Sequence, residues 1–202
     1  HIYPDYSLYG IKNTAYGFMS RGCPRGCSFC HVQAKEGCRS HKVADLSEFW
    51  NGQKNIELLD PNTFACSEWK DIVTQLIESK AQVNFNQGVD IRMMTPERIE
   101  LLMKVNTKHV HFAWDRYQDR DLIVPKLRQF KEITGWNRGK VTVYILTNYD
   151  STMQQDLERI MLCRELDFCP YVMRYDKEHI KRGAEINALA RWVNTKMIFW
   201  KC

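Results

Sequence analysis

The chain has 202 residues, 44% hydrophobic and 12% aromatic, enough for one sizeable core and short of two at about 150 residues per domain. Its formal net charge of +5 and pI near 8.7 stay below the roughly 9 that marks a dedicated nucleic-acid binder, and the basic residues at Arg39 to Lys42 and Lys177 to Arg182 read as solvated surface. Neither a secretory apolar run nor a segment of about 18 apolar residues is present, so the cytosol is the expected compartment and no membrane partner is expected.

The stretch His1 to Gly10 is aromatic, contains a proline and follows neither structural period, so residues 1–11 are expected to form an extended lead-in or linker and 12–202 the core domain. Six short apolar runs follow: Ala15 to Ser20, Asn55 to Leu59, Gln82 to Asn86, His109 to Ala113, Val141 to Leu146 and Cys169 to Met173. Helical stretches separate them. Asp45 to Trp50 predicts a short one. Ser67 is placed to cap Glu68 to Ser79, with Trp69, Ile72, Val73, Leu76 and Ile77 as its apolar stripe. Thr95-Pro96-Glu97 supplies a cap, a proline for the first turn and an acid beside the helix dipole. A further helix starts at Asp121 or Pro125 and stops near Gly135; Ser151 caps Thr152 to Leu166, and Ala184 to Val193 closes the series. Met197 to Trp200 is expected as an edge strand or as packing beneath the sheet.

Strand–helix alternation predicts an α/β fold with parallel strands. Because a closed eight-unit barrel takes about 250 residues, six units predict an open, partial (βα)6 barrel of the TIM type.

The chemistry concentrates in Arg21-Gly22-Cys23-Pro24-Arg25-Gly26-Cys27-Ser28-Phe29-Cys30, three cysteines in the order C-x3-C-x2-C. Thiolates this close suit a soft metal centre, and cysteine is the usual ligand of iron–sulfur clusters. Zinc is an alternative, with Cys38, His31 or His41 as fourth ligand, and a four-cysteine electron-transfer cluster completed by Cys38 is another. Either would make the chain a zinc- or iron–sulfur-stabilised binding or electron-transfer module. The other cysteines, Cys38, Cys66, Cys163, Cys169 and Cys202, read as free thiols.

The cysteine spacing, Phe29 before the third cysteine and the R-G-C-P lead-in resemble the radical S-adenosylmethionine (radical SAM) enzymes, most of all such proteins from gut bacteria and their phages. The resemblance implies that Cys23, Cys27 and Cys30 hold a [4Fe–4S] cluster, that its open iron chelates SAM, and that a reductant such as flavodoxin or ferredoxin supplies the electron. It also implies an open six-stranded βα barrel, and in relatives with a preceding cobalamin-binding-type domain a segment like the lead-in joins the two.

Every apolar run ends in polar residues, as a ligand-binding rim of a parallel βα fold requires. Asp60-Pro61-Asn62 follows the second run, Gln87, Asp90 and Arg92 the third, Asp115 and Arg116 the fourth. By resemblance, Asp60 to Phe64 matches a D-D-N-F-like stretch, Asn62 lies near the methionine end of SAM, and Arg92 pairs with its carboxylate. Gln87 joins this cofactor rim, Asp115 accepts from the ribose, Phe29 lies near the adenine, and Met173 with its neighbours borders the adenine edge. No catalytic residue is assigned. The substrate, a nucleotide or nucleic acid, a peptide or a small molecule, is left open. His109 and His111 share one strand face, and Trp114, Tyr117, Tyr144, Tyr149 and Tyr175 are core or rim aromatics.

Overall fold

The computed structural model describes residues 3–201, so Cys202 and the first two lead-in residues lie outside it. Its elements in order are β1 (Thr14–Gly17), β2 (Ser20–Arg21), α1 (Val32–Glu36), β3 (His41–Lys42), β4 (Asn55–Leu58), α2 (Trp69–Ser79), β5 (Gln82–Phe85), α3 (Pro96–Lys104), β6 (Val110–Trp114), α4 (Arg120–Thr134), β7 (Val141–Thr147), α5 (Met153–Glu165), β8 (Cys169–Arg174), α6 (Glu185–Asn194) and α7 (Lys196–Phe199). All six apolar runs form strands. The chain divides into two compact units, one ending at Val110 and the next starting at His111.

In the first unit β1, β4 and β5 form a parallel sheet in that order, with Ala15 opposite Ile56 and Ile56 opposite Val83. Alternation along each strand gives the sheet two different faces. Ala15, Ile56, Leu58, Val83 and Phe85 are fully buried, whereas Tyr16, Glu57 and Asn84 stand half-exposed, Asn84 donating to Glu57 at 2.7 Å. Apolar residues at helical spacing on α2 (Ile72, Val73, Leu76) and α3 (Ile99, Leu102) complete this core. Helix α3 begins as its sequence predicts: Thr95 accepts from the Arg98 N–H and Pro96 occupies the first turn. Gly17 is required by close approach, since a β-carbon there would stand 2.3 Å from the Phe49 ring.

The second unit builds the sheet β6-β7-β8, in which β7 and β8 are parallel. Phe112, Trp114, Val143, Ile145 and Val172 are buried on one face. On the other, His111, Tyr144 and Tyr171 form an aromatic row, with centroids 5.2 and 5.5 Å apart. Phe130 of α4 meets Phe112 edge-on at 4.8 Å. Helix α6 is fastened to the outer edge of β8 by Asn194, whose amide accepts the Val172 N–H at 2.8 Å and donates to the Val172 carbonyl at 3.0 Å.

The expected α/β fold with parallel strands is present, and the described strands close no barrel. Other expectations are corrected. Beside them stands an antiparallel pair, β2 with β3, too short for periodicity to reveal. The lead-in is not extended: Tyr6–Tyr9 is a 3-10 turn capped by Asp5. Asp45 and Glu48 form a capping box around a 3-10 turn, Leu46–Glu48, not a longer helix. Glu68, not Ser67, precedes α2, and Thr152, not Ser151, caps α5 with Gln155 reciprocating. Helix α4 begins at Arg120, so Pro125 lies inside it. Met197 to Trp200 does not form an edge strand. Phe199 ends helix α7, fully buried between Trp192 and Trp200. No helix among the described residues is long and apolar enough to cross a membrane.

Arg159 of α5 organises the second unit. It is fully buried, paired with buried Asp156 at 2.5 Å, and donates to the carbonyls of Trp114 (2.6 Å) and Leu146 (2.8 Å) at the ends of β6 and β7. Its planar fork satisfies strand-end carbonyls that packing has removed from water. Replacing it strands both the carbonyls and the Asp156 charge. Arg159→Met should therefore lower unfolding free energy by at least about 3 kcal/mol in urea denaturation, and Arg159→Lys should recover only part of that loss.

Candidate metal centre

The cysteine loop leaves β2 and returns through α1 to β3. Gly22 permits its first turn: φ is +82°, and a β-carbon would stand 2.2 Å from the Arg39 carbonyl oxygen. Glu36, at the end of α1, accepts from the Gly22 N–H at 3.1 Å and from the Arg21 guanidinium at 2.7 Å. The Cys23 N–H donates to the Gly37 carbonyl at 3.2 Å, and the Cys30 N–H to the Cys27 carbonyl at 2.9 Å. Backbone and carboxylate thus set the loop's path. None of the three is in a disulfide; Cys23 and Cys27 are half-buried and Cys30 is exposed.

Two carboxylates attach this loop to the strand ends of the first unit. Asp60, after β4, is 3% exposed and accepts from the N–H groups of Met19 (2.7 Å) and Ser20 (3.0 Å) and from the Ser20 hydroxyl (2.6 Å). Burial pushes its carboxyl above the ordinary range, and these hydrogen bonds only partly oppose it. Asp60 is therefore fully engaged in holding the chain where it leaves β1, rather than turned toward a ligand.

Asp90, after β5, accepts from Arg25 inside the cysteine loop at 2.6 Å and from the Arg92 side chain at 2.7 Å. Burial would raise its carboxyl, but the Arg92 hydrogen bond and the charges of Arg92 and Arg25 outweigh that and hold it below the usual carboxylate value. Asn62 stands between the two: its amide nitrogen lies 3.4 Å from Asp90 and 3.7 Å from the Cys23 sulfur. Its side-chain oxygen is buried without a hydrogen-bond partner. An orphaned buried acceptor beside a thiol is costly in isolation and marks a place for a donor from outside the chain.

Of the residues singled out in the sequence, the structure thus brings Asn62 against Cys23 and links Arg92 through Asp90 to the cysteine loop. Phe29 is half-buried on that loop, and Gln87 is exposed after β5. Asp115 and Met173 belong to the second unit. Asp115 is half-buried, with its carbonyl 3.2 Å from Arg159, and Met173 is 45% exposed on the sheet face that carries Tyr171. The sequence placed Asp90 on the rim after the third run but gave no role to Arg25, whose only signal was a cation between two ligand cysteines.

Three thiols lie on one loop, and an amide donor stands 3.7 Å from one of the sulfurs. Among the described residues, no group of three or more His, Cys, Asp or Glu side chains converges as ligands of one ion do. No protein-family model matches the chain, and no curated protein matches it.

The Asp90 cluster has a pH signature. The folded chain keeps this carboxylate ionised to lower pH than the unfolded chain does, so its contribution is complete above about pH 4 and is lost as pH falls through the folded-state value. Asp90→Asn should lower stability at pH 7 by about 2 kcal/mol, and urea unfolding across pH should show the gap to the parent chain narrowing below about pH 4.

Thiol reactivity supplies a second check. Burial and the adjacent Glu68 carboxylate push Cys66 up to about 11, and burial pushes Cys163 up to about 12. Alkylation of the native, metal-free chain, read by peptide mass spectrometry, should label Cys23, Cys27, Cys30 and Cys38 while Cys66, Cys163 and Cys169 stay protected.

Proposed function

We propose that the chain is a radical SAM enzyme in which Cys23, Cys27 and Cys30 hold a [4Fe–4S] cluster. The observation that carries this reading is the juxtaposition of three unbridged thiols on one glycine-shaped loop with Asn62, which offers an N–H to Cys23 and keeps an unpaired oxygen beside it. When bound, the cluster and SAM supply the one-electron chemistry that yields a 5′-deoxyadenosyl radical, which takes hydrogen from the substrate.

The chain's own residues bind and orient. Asn62 accepts from the ammonium group of SAM, and Arg92, held by Asp90, is a cation for its carboxylate. Arg25, paired with Asp90, places a cation between Cys23 and Cys27 and so favours an anionic centre at the loop. Phe29, half-buried on the loop, gives an apolar contact for the adenine. Asp60 fixes the approach of the loop from β1, and Gln87 completes the polar rim.

The finer fold reading, an open (βα)6 barrel, belongs to this proposal. Each three-stranded sheet has one buried face and one half-exposed face bearing polar or aromatic residues, as a barrel interior requires. A flavodoxin- or ferredoxin-type reductant in the cytosol is the implied partner, and a nucleotide, a peptide or a small molecule the substrate.

A zinc- or iron–sulfur-stabilised module without catalysis is the second reading, favoured by Cys38, an exposed thiol between α1 and β3. Anaerobic reconstitution separates the two. About four irons per chain and 5′-deoxyadenosine on reduction with SAM are expected, both lost in Cys27→Ala. Asn62→Ala should keep the iron and slow SAM cleavage roughly 10–100-fold. One zinc per chain with no iron uptake, or cleavage that survives Cys27→Ala, would refute the assignment.

A further inference from the structure

The second unit contains a cavity of about 740 Å³ between the end of β8, the following loop and one face of α6. Arg174, Lys177, Arg182 and Arg191 line it, and no acidic residue does. Among the described residues none of these four cations has a carboxylate within ion-pair distance. Of the two acids adjacent to Lys177 in sequence, Asp176 is engaged by His179 at 2.5 Å, and Glu178 does not line the cavity. Four like charges around one concavity repel each other, and an anion entering it relieves that repulsion.

The cavity is also built, not only charged. Arg174, the last residue of β8, donates to Asn187 of α6 at 2.5 Å, and the Asn187 amide in turn donates to the Lys181 carbonyl at 3.1 Å. That chain of bonds fixes the guanidinium while its remaining N–H groups stay available. Asn187, Arg191 and Asn194 recur at helical spacing, so one face of α6 forms a wall, and Asn194 anchors that face to β8. The first turn of α6, which carries Glu185, has no side-chain cap, and its residues Ala184, Asn187 and Ala188 line the same concavity. Outside the carboxyl end of a strand and before a helix is where α/β proteins bind phosphate.

We propose that this cavity binds a small molecule carrying at least two phosphate groups. Each phosphate monoester brings about −1.5 to −2 charge, so two or more match four cations. The volume falls within the roughly 300–1,000 Å³ of small-molecule sites, which favours a compact ligand over a polymer. Free pyrophosphate and a nucleoside diphosphate share this chemistry. The site lies wholly in the second unit and requires nothing of the cysteine loop.

Isothermal titration of the full chain at low ionic strength, with pyrophosphate, ADP and a short single-stranded oligonucleotide as probes, tests the proposal. Pyrophosphate should bind with one site per chain, and Arg182→Gln and Arg191→Gln should each weaken it roughly tenfold with unchanged thermal melting, whereas Lys108→Gln should leave it unaltered. ADP binding more tightly than pyrophosphate, with the same two sensitivities, would assign the ligand to the nucleotides; equal affinity would assign it to the phosphates alone. No pyrophosphate binding, equal weakening by Lys108→Gln, or oligonucleotide binding without pyrophosphate binding would overturn it.

Discussion

A buried charge at the strand ends is the constraint on which each unit depends. In the first, the Asp60 carboxylate gathers N–H groups from the residues that follow β1. In the second, the Arg159 guanidinium gathers carbonyls from the ends of β6 and β7. The two solutions are opposite in sign and alike in logic. Where parallel strands stop, backbone groups leave the ladder while still out of water, and one forked side chain supplies several partners at once. The arrangement is costly to desolvate, as the upward displacement of Asp60 shows, and it fixes geometry rather than adding much stability.

That rigidity matters most at the cysteine loop. A loop proposed to hold a cluster needs its sulfurs placed by other groups, and here Gly22, Glu36, Asp60 and the Arg25–Asp90 pair set its path. Asn62 is the exception, buried with one half of its amide used and the other without a partner. The proposal that the chain is a radical SAM enzyme rests on the cysteine loop together with that one unsatisfied acceptor beside it.

Much of the fold was legible in the sequence because it is written locally. Runs such as Val141 to Leu146 announce strands, and Thr95-Pro96 announces a helix start, within a few residues. The misreadings involve partners distant in sequence or elements too short to have a period. Two-residue strands β2 and β3 have no alternation to detect, and Phe199 becomes helical through its packing against Trp192 and Trp200. How six strands divide into sheets depends on pairing across the chain, which periodicity does not encode. At the site, the cysteine spacing was plain, but the bond between Arg25 and Asp90 spans 65 residues. Lys177 to Arg182 read as ordinary solvated surface because nothing local shows that Arg174 and Arg191 fold in beside them.

The bond between Asn194 and Val172 also bears on how the chain behaves in company. β8 is the outermost strand of its sheet, and an outermost strand is a template for any extended segment that drifts near. By presenting both halves of an amide to one residue of that border, α6 imitates a neighbouring strand for a single rung and occupies the place where an intruder would begin to zip. Loosening α6 would uncover that rung and leave the border open to an incoming strand.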